Sequence, residues 1–178
     1  SASSFNENIS ANSTIATLST VDEDSSDTHT YALVESDWYD NSLFSIDGTS
    51  LIIKSSPNFE NKSSYLISVQ STDSYGNTYS ELLPLTVNDL NEAPTELQFI
   101  STSFDENISA ESVITTLSTT DQDSTDTHTY ALVSGEGDTD NSSFTIEGDK
   151  LKINSSPDYE TQSSYSIRLK TTDSGGLS

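Results

Sequence analysis

Apolar residues recur along this chain with a period of two. Tyr65, Ile67 and Val69 alternate with polar neighbours, and Tyr165, Ile167 and Leu169 alternate with Ser166, Arg168 and Lys170. Such spacing puts one face of a strand in a core and the other in water. Leu83, Leu85 and Val87 continue the pattern and read as the last strand before a break at Asn88-Asp89-Leu90-Asn91-Glu92-Ala93-Pro94. Asp47-Gly48 and Glu147-Gly148 lie between Phe-x-Ile and Leu-x-Ile runs, so each pair is expected to turn a hairpin. No apolar stripe at helical spacing occurs, and the fold class read from the pattern is all-β.

The pattern also repeats over a longer distance. Phe5-Asn6-Glu7-Asn8-Ile9-Ser10-Ala11 returns as Phe104-Asp105-Glu106-Asn107-Ile108-Ser109-Ala110. Asp22, Asp24, Asp27, His29 and Tyr31 return as Asp121, Asp123, Asp126, His128 and Tyr130. After one inserted residue, Phe44, Pro57, Glu60, Tyr65 and Asp73 match Phe144, Pro157, Glu160, Tyr165 and Asp173. A period of about 100 residues is the size of a whole immunoglobulin-type sandwich, too long for a solenoid unit. The expected organisation is a first repeat over 1–89, a linker over 90–94 closed by Pro94, and a second repeat over 95–178. The first repeat lacks a counterpart of residues 92–99, and the second lacks one of the strand at 81–88; each is expected to miss an edge segment.

Composition narrows the function. Apolar residues make up 31% of the chain, which suits two thin cores better than one deep one. Acidic residues number 29 against 6 basic ones, for a net charge of −23. Nucleic acid and anionic membrane surfaces are poor partners for such a chain, whereas bound cations would suit it. The absence of cysteine excludes disulfides and thiolate metal sites. No apolar run approaches the ~20 residues of a membrane span.

Five acidic motifs line up along the chain: Glu7-Asn8, Asn58-Phe59-Glu60, Asp89-Leu90-Asn91-Glu92-Ala93-Pro94, Asp121-Gln122-Asp123 and Asp173-Ser174-Gly175. In this order they resemble the calcium motifs of cadherin repeats, and the resemblance covers nearly the whole chain. It implies two tandem Greek-key, immunoglobulin-like β-sandwiches with Ca2+ at their junction. The metal ligands it implies are Glu7, Asn58 and Glu60 in the first repeat and Leu90, through its carbonyl, Asn91 and Glu92 in the linker. From the second repeat it implies Asp121, Asp123, Ala131 and Asp173. Ca2+ takes about 6–8 oxygen ligands, and the six carboxylates of that set could neutralise about three divalent ions. The resemblance further implies half-sites at Asp22, Asp24 and Asp73 and at Glu106, Asp158 and Glu160, each completed by a neighbouring repeat.

The chain departs from the family in particular places. Asn58 stands where the family has Asp, and Asn12 and Glu111 stand where it has glycine. The short Asn-Glu-Ala-Pro linker is similar to that of bacterial and marine cadherin-like arrays. His29 and His128, between threonines, read as structural, and Asp27 and Asp126 as turn residues. Trp38, without a partner in the second repeat, reads as an aromatic filling a loop, with a ligand contact as the alternative. Carboxylate pairs could serve glycoside hydrolysis, but these recur at equivalent positions with no aromatic cleft, and no enzymatic role is expected. The resemblance implies a calcium-stiffened extender or adhesion module of a large extracellular or cell-surface protein, with neighbouring repeats as partners. A module that recognises carbohydrate or protein directly is the alternative.

Overall fold

The computed structural model describes residues 4–24, 26–34 and 36–178. The chain divides into two compact units, Ser1–Leu90 and Asn91–Ser178. Among the described residues the regular structure is β, with short 3-10 turns at Asp40–Leu43 and Asn141–Ser143 that the period-two pattern gave no sign of. Among the described residues no helix is long and apolar enough to cross a membrane.

The first unit is a two-sheet sandwich. One sheet orders β1 (Ser4–Asn6), β7 (Thr78–Asn88), β6 (Ser64–Thr72) and β3 (Thr30–Leu33). The other orders β2 (Ser13–Thr17), β5 (Ser50–Ile53) and β4 (Phe44–Asp47). β1 runs parallel to β7 and the remaining pairs are antiparallel. Between the sheets lie Phe5, Leu18, Phe44, Leu51, Ile53, Tyr65, Ile67, Val69, Leu85 and Val87. These are the alternating positions of the pattern, since a strand turns every second side chain inward. Tyr65 anchors the core edge-on to Phe44 at 5.3 Å and stacked on Phe5 at 6.1 Å.

The second unit repeats this plan in part. β11 (Phe144–Glu147), β12 (Lys150–Ile153), β9 (Val113–Thr120) and β8 (Glu96–Phe99) form one sheet, and β10 (Thr129–Leu132) pairs with β13 (Leu169–Thr172). Phe144, Leu151 and Ile153 make its centre, with Tyr165 edge-on to Phe144 at 5.4 Å. Tyr165 and Ile167 pack against that centre but lie ahead of β13, outside any strand, which corrects the expectation of one strand from Tyr165 to Leu169. Their equivalents in β6 ladder with β7, and Ser178 is the position equivalent to Thr78, where β7 begins. Among the described residues no strand pairs with residues 164–168.

The other edge differs in the opposite sense. β8 pairs with β9 from Glu96↔Thr120 to Phe99↔Leu117. The equivalent residues of the first unit, Leu18 to Val21, border an open groove lined also by Tyr31, Val69 and Leu83, and Val21 is fully exposed. β2 accordingly stops at Thr17, whereas β9 continues to Thr120.

Both hairpins form with two-residue loops, Gly48-Thr49 between Asp47↔Ser50 and Gly148-Asp149 between Glu147↔Lys150. The glycines take φ of 57° and 63°, the left-handed backbone that such a tight turn needs at its first position. The turn before β2 and β9 survives without glycine: Asn12 and Glu111 adopt φ of 63° and 65°. Their N–H groups still bond the carbonyls of Ile53 and Ile153, at 2.8 Å each. A left-handed residue with a Cβ costs about 1–2 kcal/mol, so Glu111→Gly should stabilise the second unit by about 1 kcal/mol. Its thermal transition then rises by about 4–8 °C; an unchanged or lower transition counts against strain at this turn.

Candidate metal centre

In the first unit Glu7 follows β1 and is 1% exposed. Asn8, with φ of 58°, docks its N–H on the carbonyl of Pro57 at 3.0 Å. Asparagine tolerates this backbone better than most residues, and the bend turns Glu7 inward. The Glu7 carboxylate then accepts two backbone bonds of 2.8 Å, from the N–H of Phe59 on Oε2 and of Leu90 on Oε1. One side chain thus ties the Asn58-Phe59-Glu60 turn to the end of β7. A carboxylate oxygen of Glu60 lies within 4.8 Å of one on Glu7 and of one on Asp89. Asp89 was in the linker motif but not in the expected ligand set, and its carboxylate lies beside that of Glu60. Asn58 accepts the N–H of Asn61 at 2.8 Å, closing its own turn.

In the second unit the residues of the linker and of two loops meet. Glu92 donates its N–H to Oδ2 of Asp123 at 2.8 Å. The Asn91 amide donates to Oδ2 of Asp173 at 3.0 Å and to the carbonyl of Glu92 at 3.1 Å. Gly175 leaves room for this, because a Cβ there would overlap the Asn91 amide. Asp173 is 5% exposed and also accepts the N–H of Leu177 at 2.7 Å on Oδ1. Burial alone would raise its pKa, but the Asn91 amide and the N–H groups of Leu177, Gly176 and Gly175 hold the carboxyl below its usual range.

The two acids of Asp-x-Asp divide their work. Asp123 faces the linker, while Asp121 meets Asp126 and Asp173 with one carboxylate oxygen of each within 4.8 Å of the others. Twice the usual Ca2+–oxygen distance of about 2.3–2.6 Å spans that separation. His128 holds Asp121 by a bond of 2.8 Å to its Oδ2, with the imidazole 12% exposed, so the histidine positions the acid. Ala131 lies within the β10–β13 ladder opposite Lys170, not on the loop that carries the carboxylates.

The same arrangement stands in the first unit. Asp22, Asp27 and Asp73 come within 4.8 Å, and His29 bonds Oδ2 of Asp22 at 3.0 Å. Asp24, expected in this half-site, gives its N–H to Oδ1 of Asp22, as Asp123 does to Asp121. That bond first, and His29 second, hold the Asp22 carboxyl below the usual range. Asp73 is held low by the Asn77 amide and by the N–H groups of its turn. Also in the second unit, Glu106, Asp158 and Glu160 gather as expected, all exposed. Trp38 fills no loop: it is 89% exposed, correcting the sequence expectation.

Solved structures of similar fold are cadherin domains. Human protocadherin-24 EC1-2 matches with a TM-score of 0.75 and 22% identity, over 98% of this chain and 83% of that one. Protocadherin gamma B2 extracellular cadherin domains 3-6 matches at 0.65 and 20%, over 96% of this chain. The protocadherin gamma B4 extracellular domain matches at 0.66 and 21%, over 97%. The chain spans 41% and 28% of those two chains. No protein-family model and no curated protein matches by sequence. The fold is thus two tandem cadherin-type β-sandwiches.

Proposed function

We propose that these repeats are a calcium-rigidified extender and adhesion module of a larger extracellular or cell-surface protein. The observation that carries this reading is the gathering of carboxylates at equivalent places in both repeats. Asp22, Asp27 and Asp73 in one and Asp121, Asp126 and Asp173 in the other sit within the reach of a single ion. Among the described residues no Lys or Arg pairs with either group. Like charges held this close repel unless a cation neutralises them. Oxygen donors without cysteine suit a hard cation such as Ca2+.

In this proposal Glu7, Asn58, Glu60 and the Leu90 carbonyl act from the first repeat, with Asn91, Glu92, Asp121, Asp123 and Asp173 from the second. Ions shared between the two sets replace the mutual repulsion of about six carboxylates with attraction, and the junction stiffens. Residues 90–94 then act as a calcium-binding connector rather than a hinge, since a short linker alone leaves domains free to swing. The half-sites at the outer ends support a longer array, with neighbouring repeats as partners, and the short Asn-Glu-Ala-Pro connector supports a bacterial one. Small-angle scattering of the full chain tests the proposal. Millimolar Ca2+ should narrow the distribution of particle dimensions relative to EDTA, and identical profiles under both conditions overturn it.

The exposed Trp38 favours a second reading, in which the module binds carbohydrate or a protein directly. Saturable binding on a glycan array in Ca2+, lost in Trp38→Ala, would favour that reading over a pure spacer.

A further inference from the structure

We infer that Asp126, and its equivalent Asp27, are direct cation ligands, so that each repeat holds one ion largely with its own side chains. The inference rests on the calcium reading above and deepens it by adding a residue outside the five acidic motifs. Asp126 closes a turn through its N–H on the carbonyl of Asp123 at 2.9 Å, which accounts for its backbone. Its side chain has no such account. Oδ2 of Asp126 is, among the described residues, the one buried side-chain oxygen or nitrogen with no hydrogen-bond partner. A buried carboxylate oxygen left unpaired costs free energy, and native structures rarely keep one without a reason such as a bound ion.

The surroundings identify the partner. Asp126 meets Asp121 and Asp173, and the Asp121 side chain is 3% exposed while Asp173 is 5% exposed. The other two acids have their donors: His128 and the N–H of Asp123 on Asp121, and Asn91 and Leu177 on Asp173. These bonds fix two carboxylates in place and leave the third without one on Oδ2. Among the described residues no ammonium or guanidinium pairs with this group, and a divalent cation would neutralise and satisfy all three carboxylates together. The first repeat builds the group again from Asp22, Asp27 and Asp73, with His29 in the place of His128.

Calorimetric titration of the full chain with CaCl2 tests this, comparing wild type, Asp126→Asn, Asp27→Asn and the control Asp105→Asn, an exposed acid with the same charge change. Asp126→Asn should lose one site or weaken it by at least about tenfold, Asp27→Asn likewise, and Asp105→Asn should bind as wild type. In EDTA the Asp126→Asn protein should melt at or above the wild-type temperature, because an unpaired buried charge is gone. A turn role alone would lower the melting temperature in EDTA and leave affinity unchanged, and that result overturns the inference. Wild-type affinity in both Asp→Asn variants also overturns it while leaving the calcium reading standing. A wild-type chain that takes up no Ca2+ sinks both. Should Asp126→Asn fail to fold, Asp27→Asn decides alone.

Discussion

Calcium in hundredfold excess over its dissociation constant should raise the melting temperature of the second repeat by about 10–20 °C, and Asp173→Asn should abolish most of that rise. A ligand at that excess stabilises the state it binds by about 2.7 kcal/mol per site. For a domain of this size, each kcal/mol moves the midpoint by about 4–8 °C. Asp173 is the test position because it is buried, faces Asp121 and Asp126, and is fixed by Asn91 and Leu177. Asparagine keeps its shape and removes the charge that attracts the ion. In EDTA the same substitution should shift the midpoint little, since a lost N–H acceptor is offset by relief of three-way repulsion. A large loss in EDTA with the calcium gain intact would assign Asp173 to the fold alone.

The second large effect concerns how each sandwich closes an edge. Asn41→Ala should destabilise the first repeat by about 3 kcal/mol. Its amide donates to the carbonyls of Val34 and Ser68, and its Oδ1 accepts the N–H of Ser68 at 2.9 Å, all in a site where Asn41 is 7% exposed. Alanine would leave the Val34 carbonyl and the Ser68 N–H unpaired where little water reaches, while the Ser68 carbonyl keeps the Val34 N–H. Asn141 makes the equivalent bonds to Val133 and Arg168 but is more open, so Asn141→Ala should cost less, about 2 kcal/mol. Urea titrations of each variant measure both, and equal small losses would contradict the pinning role. Asp40 works beside Asn41, taking the N–H of Leu66 at 2.9 Å and the Lys62 ammonium at 2.7 Å. Burial pushes its pKa up, and those two bonds outweigh it and hold the carboxyl low. The stability Asp40 contributes is therefore present above the ordinary Asp range and lost as pH falls through its depressed folded value. Together the two side chains occupy the stretch of β6 that β3 does not reach, and so cover a sheet edge.

How much of this was legible beforehand follows from the kind of interaction involved. Alternation in Tyr65, Ile67 and Val69 is a local property, and it correctly forecast which side chains enter the core. The pairing of repeats forecast that Phe44 and Phe144 would occupy the same place. Strand status at Tyr165 was not local, because it depends on a pairing neighbour. Asp40-Asn41 and Asp140-Asn141 also recur in the sequence, yet their role depends on side chains bonding backbone groups about 26 residues away, beyond any periodicity. The site divides the same way. Glu7, Asp121 and Asp173 announced themselves through motif spacing, whereas Asp126 looked like a turn residue and is one. Only the three-dimensional fold brings its carboxylate to the other two.

Diffraction from crystals of the full chain grown in Ca2+ bears most directly on the proposal. The account predicts calcium peaks with about 6–8 oxygen neighbours at about 2.3–2.6 Å, one held by Asp121, Asp126 and Asp173 and one by Asp22, Asp27 and Asp73. Ordered water alone among these carboxylates, at saturating calcium, would contradict it.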